Sequence, residues 1–522
     1  MERWTPRKQL TKQEEMLMKR LRRTRRLFAF LRLHRDELFD GGFQEELEAM
    51  YRDTGAGNIP VAPAVLCMAL ILQGYLGVSD AEAVELTVVD MRWQMVLDCL
   101  GAEEPLFAQG TLQQFRQRLI GADLDRRVLE RTRELAKQTK GFDWKKLPKE
   151  LRVAVDSRPL EGAGRVEDTF NLLGHAARKI VECAAELVGK EVDDVRRMAG
   201  IPLLRHSSIK AGLDVNWNDP EQKDQALEEL VAQVSSLHTW LEKKNLVVEG
   251  ELQPYIAAIA HVREQDLEEF ADKAPRMRRE VARDRRISIE DSEMRHGRKS
   301  KSKRFNGYKE HIAADLDSNL ILACAVTPAN APEETAAPQL GEDMKKQRIR
   351  IGELSLDRAY INSELVTDVE ARGGTILCKP WSGRNPRKGL FGKIDFKIDM
   401  RAKTITCPAG QVELLEEGQT VEFNAEVCGA CPVRNKCTYS ASGGRTIQIA
   451  DDERRQHRLR KLTSTASGRE RLRERVGIEH RLAHVSARKG PKARYCGVRN
   501  NLYDLRRAAI IQNLETIQRR AA

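Results

Sequence analysis

Apolar positions recur every three to four residues through most of residues 1–140, a period that predicts a largely helical amino-terminal region. A basic helix over roughly Lys12 to Arg35 leads in. Val61 to Val78 is the most apolar stretch, but Pro63, Gln73 and Gly74 interrupt it and it is too short to span a membrane. It reads as a buried helix over Pro60 to Gly74. Ser79 and Glu82 form a capping-box pattern ahead of Ala83, Val84 and Leu86, and Thr111 with Gln114 repeats it ahead of Leu112, Phe115 and Leu119. Helical period returns over residues 161–284. There Leu173, Ala176, Ala177, Ile180, Ala184 and Leu187 make one stripe. Asp219 caps and Pro220 opens a second helix, striped by Leu227, Leu230, Val231, Val234, Leu237 and Leu241.

Alternation with period two marks the strands. In Leu151 to Asp156, Val153 and Val155 alternate with Ala154 and Asp156. Tyr308 to Ala314 and Leu320 to Val326, with Asp317, Ser318 and Asn319 between them, predict an antiparallel hairpin. Leu354 and Leu356 share one face of a short strand that ends at Asp357, and Gly374 to Lys379 reads as a further buried strand. Asp156 and Asp357 are thus both expected at the carboxyl ends of strands, where open α/β sheets bind ligands. Asp315, just before the turn, fits turn chemistry better than metal binding.

Two strand-end aspartates direct attention to a third carboxylate. Over Arg469 to Val485, Leu472, Val476, Glu479 and Ala483 follow one helical face, whereas Glu470 and Glu474 point away from it. A carboxylate on an apolar stripe is costly unless paired or metal-bound. Glu479 is therefore the informative acid, either as a ligand or as a partner of Arg475 or Arg481. His480 and His484 stand four apart on the same helix, a spacing that serves zinc or simply a helix surface.

The motifs Val153-Ala-Val-Asp156-Ser, Gly164-Arg-Val-Glu-Asp168-Thr, Asn306-Gly-Tyr-Lys-Glu-His-Ile-Ala-Ala-Asp315, Thr327-Pro-Ala-Asn330, Asp357-Arg-Ala-Tyr360 and Glu479 together resemble the DDE transposases of bacterial insertion sequences. The resemblance runs in order over nearly the whole chain. It implies an RNase H-like mixed sheet with helices, and Asp156, Asp357 and Glu479 as the catalytic triad. The chain departs from many relatives at Ala359, where they have Gly, and at Leu472 and Ser486, where they often have Tyr and Lys. The implied chemistry is phosphoryl transfer on DNA. Two Mg²⁺ or Mn²⁺ ions per active site are expected, with Asp156 bridging both, Asp357 holding one and Glu479 the other. The ends of the element would be cut and the 3′-hydroxyl joined to target DNA, and gathering two ends implies a homodimer or larger assembly. A nuclease that cuts without joining, and a non-catalytic DNA-binding derivative, are the alternatives.

Charge agrees with a DNA partner. The 522-residue chain carries a formal net charge of +11. From Glu453 onward there are 19 Lys and Arg against 6 Asp and Glu, and Arg295 to Lys309 holds seven Lys or Arg and no acid. Such concentrations suit phosphate backbones. The expected DNA contacts are Arg298, Lys299, Lys301, Lys303 and Arg304, and the carboxyl-terminal Arg488, Lys489, Lys492 and Arg494. The basic loop after Trp381, with Arg384, suits a stacked base and phosphates or a plain surface loop. The helix bearing Arg116 and Arg118 either enters a groove or packs.

Cys407, Cys428, Cys431 and Cys437 lie close together in a Gly-rich segment. The Cys428-x₂-Cys431 knuckle, with the other two, predicts one closed structural Zn²⁺ site. No secretory leader is evident, and ten cysteines without one read as reduced thiols or ligands in a soluble, cytoplasmic protein that uses no membrane. The expected organisation is a helical DNA-binding domain (1–140), a first catalytic strand (150–160), a helical insertion (161–284), core strands (285–400), a zinc-binding insertion (401–450) and basic helices completing the core (451–522).

Overall fold

Both aspartate segments belong to a six-stranded mixed sheet. Its strands are β1 (Leu151–Glu161), β2 (Arg295–Arg298), β3 (Arg304–Asp315), β4 (Ile321–Pro328), β5 (Ile351–Ser355) and β6 (Thr375–Leu377). They run in the order β2-β3-β1-β5-β6, with β4 also paired to β3. β1 with β5 and β5 with β6 are parallel, whereas β3 is antiparallel to β2 and β4. This computed structural model describes residues 3–21, 26–51, 60–206, 208–270, 273–381, 389–440 and 442–521. The chain divides into two compact units: Met1–Leu147 with Asp156–Ile349 and His480–Ala522, and Pro148–Val155 with Arg350–Glu479.

In the first unit the helix Val498–Ala521 is the central element. Nearly all of its positions from Asn501 to Ile517 are buried, and it packs on the helices Pro63–Leu76 and Leu124–Gln138 and on β4. A helix buried all round is usually apolar. This one carries polar residues, of which Asn513 is fully partnered. Asn513 donates to Thr132 Oγ1 at 2.9 Å and the Ile321 carbonyl at 2.8 Å, while its Oδ1 accepts from Ile321 N at 2.8 Å. Gly74 allows the closest approach, since a Cβ there would stand 2.9 Å from both Arg507 Cδ and Ile511 Cδ1. The apolar stretch predicted to be a core helix is one: Ala64 to Gln73 are buried.

Ser79 caps the helix Asp80–Val89 as expected, accepting from Glu82 N. Thr111 does not cap, because its helix starts earlier, at Gln109. Leu112, Phe115 and Leu119 face the core, and Arg116 is buried against Asp80. Arg116 is therefore unavailable to a groove. The insertion forms helices Thr169–Val188, Pro220–Lys243 and Gln253–Asp266 around one apolar cluster. Asp168 and Asp219 cap the first two of these. Both predicted stripes are buried except Leu187, which is 40 % exposed. The insertion is not wholly helical: Leu267–Phe270 and Lys273–Met277 pair as a short antiparallel hairpin.

The second unit contains the Leu151–Val155 half of β1 paired with β5, and a small-stranded segment with its own core. Lys397–Asp399, Thr404–Thr406 and Val412–Leu414 form one sheet, and Thr420–Glu422 pairs with Thr446–Gln448. Phe396, Ile405, Leu415, Val421, Phe423, Ile447 and Ile449 fill the space between, with Cys407, Cys428 and Cys437 packed against them. The helices Glu453–Ser464 and Ala466–Glu474 follow.

Candidate active site

β1 continues five residues beyond Asp156, so this aspartate lies inside the strand and not at its end. Leu160 is fully buried and Gly162 N donates to the Asn306 carbonyl at 2.7 Å, which keeps the chain on the sheet. Gly307 makes that approach possible. It has φ +147°, and a Cβ there would stand 2.3 Å from Gly162 N. Asp156 is 9 % exposed, and its Oδ1 accepts from Ser157 N at 2.9 Å.

Asp357 follows β5 and opens the single turn Arg358–Tyr360. Its side chain is 57 % exposed and accepts from Arg475 Nη1 at 2.5 Å. The last rung between β1 and β5 is Ala154↔Ser355. Asp156 and Asp357 each come two residues after that rung.

The helix around Glu479 differs from expectation. The predicted Arg469–Val485 helix is two helices, Ala466–Glu474 and Val476–Lys489, jointed at Arg475. Ile478, Leu482 and Val485 form the buried stripe of the second, whereas Val476, Glu479 and Ala483 are exposed. Glu479 therefore sits in the first turn of an exposed face, and burial cost gives no reason to single it out. Glu474 is not idle either. It pairs with Arg152 of β1, which also reaches Glu353, and Glu353 holds Arg471. These pairs fasten the Ala466–Glu474 helix to β1 and β5 within the second unit.

Among the described residues, no three His, Cys, Asp or Glu side chains are grouped as metal ligands. The donor chemistry nonetheless suits the ions expected. Carboxylate oxygens fit a hard divalent cation that keeps part of its water. The four cysteines influence one another: burial raises the Cys437 thiol above its ordinary range, Arg445 opposes this, and Cys428, Cys407 and Cys431 add to the rise. Gln411 N donates to Cys407 Sγ at 3.3 Å. His480 and His484 are exposed helix-surface residues.

The basic hairpin is an exposed arm. Arg298, Lys299, Lys301, Lys303 and Arg304 at the tip of β2 and β3 are all exposed. Lys492 and Arg494 are exposed too, as is Trp381, whereas Arg384 lies outside the described residues. Lys489 is not a DNA contact. It is 4 % exposed and bound to Glu310 and Asp504. A cation in a basic run reads as surface, and the two acids that claim Lys489 lie elsewhere in the sequence. Arg488 is likewise engaged, with Glu515 at 2.9 Å and the Tyr75 ring.

The other motif residues serve the scaffold. His311 Nε2 meets Thr327 Oγ1 at 2.9 Å, Lys309 donates to the Ala331 carbonyl at 2.8 Å, and Tyr308 donates to Asp291. Asp315 accepts from Ser318 N at 3.0 Å, as turn chemistry predicts. Sequence reasoning missed Glu310 and Arg158. The signal was an acid in mid-strand between buried positions, where a partner is obligatory.

A mixed sheet of this order, with parallel strands leading to two aspartates and a basic arm beside it, defines an RNase H-like α/β core suited to phosphoryl transfer on nucleic acid. The family model described as "Transposase DDE domain" matches residues 281–514, and the model "Transposase domain (DUF772)" matches residues 15–118. The chain belongs to the DDE transposases of insertion sequences and is a DNA transposase, an enzyme class that works with divalent metal ions. No curated protein and no solved structure matches it. No single helix among the described residues is long and apolar enough to cross a membrane.

Proposed function

We propose that Asp156, Asp357 and Glu479 hold the divalent ions with which this transposase cuts DNA at the ends of its element and joins the 3′-hydroxyl to target DNA. The register of β1 and β5 carries the reading. Both aspartates follow the same rung by two residues, Asp156 within β1 and Asp357 in the turn after β5. Ions held by these carboxylates would activate the attacking hydroxyl and stabilise the leaving oxygen. The exposed cations of the β2–β3 arm, with Lys492 and Arg494, bind phosphates and hold the duplex in register. Two element ends must be brought together, which calls for a homodimer or larger assembly.

Cys407, Cys428, Cys431 and Cys437 hold one structural Zn²⁺ in this reading. Three of them pack on the small apolar cluster, and Cys437 feels the charge of the other three.

The test is Asp156→Ala and Asp357→Ala in cleavage and strand-transfer assays on paired ends. Each is expected to lose at least about a thousandfold in rate, the scale of removing a principal source of transition-state charge stabilisation, while end binding persists. Near-normal strand transfer by the double variant would overturn the assignment.

A further inference from the structure

A buried ion cluster lies on the first unit's part of β1. Arg158 is two residues beyond Asp156 and so faces the same side of the strand. Its Nε donates to Glu310 Oε2 at 2.6 Å and its Nη1 to Ser486 Oγ at 2.5 Å. Lys489 Nζ donates to the other oxygen of Glu310 at 2.5 Å and pairs with Asp504 at 3.1 Å. Glu310 and Lys489 are 0 % and 4 % exposed. Ser486 and Lys489 stand one helical turn apart on one face of Val476–Lys489. Three elements therefore meet at one carboxylate: β1 through Arg158, β3 through Glu310 itself, and the helix through Ser486 and Lys489.

Stability alone is a poor account of this cluster. Buried ion pairs recover their desolvation cost only with near-ideal geometry, and apolar replacements are often as stable. Fixing a register is the best attested use of such groups. One feature suits that use here: β1 carries Asp156, two residues before Arg158.

We infer that Glu310 is a positioning residue of the transposase. With Arg158 and Lys489 it locks β1 to the part of the helix that carries Ser486 and Lys489, and so sets the position of Asp156, the carboxylate of this unit that takes the metal. The inference rests on the reading of Asp156 as a metal ligand.

The test uses the full chain carrying Glu310→Gln with Lys489→Met, which removes one charge of each sign and leaves an acceptor for Arg158. Mn²⁺ binding is read by the electron paramagnetic resonance of the free ion. It is expected to weaken about tenfold or more, as for outer-shell partners of metal ligands. The Mg²⁺ concentration for half-maximal cleavage should rise in proportion, with DNA-end binding unchanged. Glu310→Asp, which keeps the charge on a shorter arm, should fall between the variant and the parent, and it carries the test should the double variant not fold. A lower melting temperature with unchanged Mn²⁺ affinity and Mg²⁺ requirement would overturn the inference, leaving the cluster a purely structural one. Asp156→Asn is the control. If it leaves Mn²⁺ binding intact, the ligand reading fails and takes this inference with it. If it weakens binding and the Glu310 variants do not, the positioning role alone is wrong.

Discussion

Arg475 Nη1 lies 2.5 Å from Asp357 Oδ1, so the arginine at the joint between two helices holds the carboxylate proposed to take a metal ion. The guanidinium and the ion compete for the same oxygens. Because Asp357 is 57 % exposed, the pair is screened and contributes at most about 1 kcal/mol, or a factor of about five in affinity. Arg475→Ala should therefore tighten Mn²⁺ binding by up to about fivefold, and Asp357→Asn should abolish that gain. Equal Mn²⁺ affinities for parent and Arg475→Ala would show that the arginine does not compete.

The cysteine segment should contain one tightly held zinc per chain. Its core is small: seven buried apolar residues support two short sheets. Such a segment gains much of its folding free energy from a metal. Elemental analysis of protein purified without chelator should find the zinc, and Cys431→Ser should lose it and expose the segment to protease. Zinc-free protein with an intact, protease-resistant segment would refute the site.

End binding should weaken steeply with salt through the β2–β3 arm. Arg298, Lys299, Lys301 and Lys303 are exposed at its tip. Replacing all four should lower the slope of log affinity against log salt by about 3–4, if each neutralises one phosphate. An unchanged slope would make the arm a solvated surface.

His311 sets an acid limit on stability. It is fully buried, and burial, with a smaller contribution from Lys309, pushes its pKa down to about 3 from an ordinary 6.5. The folded chain keeps it neutral while the unfolded chain protonates it, so the unfolded state binds more protons between those two values. Stability is thus fully present above pH 6.5, falls as pH drops below it, and has lost roughly 2 kcal/mol from this group by pH 5. His311→Gln, whose amide can still meet Thr327, should flatten the unfolding midpoint between pH 6.5 and 5. A parent and variant with the same pH slope would show that His311 is not the titrating group.

Period was enough to find five of the six sheet strands, β2 being read only as a basic run, together with the buried helix at Ala64 to Gln73 and the two insertion stripes, because each buries one repeating face. Where period failed, a long-range partner decided. β1 runs past Asp156 because β3 pairs beside it, and nothing in Ser157-Arg158-Pro159 announces that. Lys489 is buried because Glu310 and Asp504 reach it from other elements. Glu479 was selected by a stripe through Leu472 and Val476, but the joint at Arg475 separates Leu472 from the helix that begins at Val476, and the stripe that is buried runs through Ile478, Leu482 and Val485.

Which glutamate completes the site therefore turns on partners and not on burial. Glu474 is engaged by Arg152, in a set of pairs that also ties Arg471 to Glu353 and fastens its helix to β1 and β5. A metal ligand at Glu474 would have to break this tie to Arg152. Glu479 has no such pair among the described residues, lies in the first turn of its helix, and is exposed. Glu479→Gln keeps the shape and removes the charge, so cleavage should fall by at least about a hundredfold with the melting temperature unchanged, the cost of losing one properly placed charge at the transition state. Glu474→Gln should do the opposite: it should lower stability by about 1 kcal/mol or less, since its own side chain is 41 % exposed and screened, and leave the rate within about threefold. If Glu474→Gln abolishes cleavage while Glu479→Gln spares it, the acid comes from the preceding Ala466–Glu474 helix, and the Arg152 pair is then the contact that metal binding must displace.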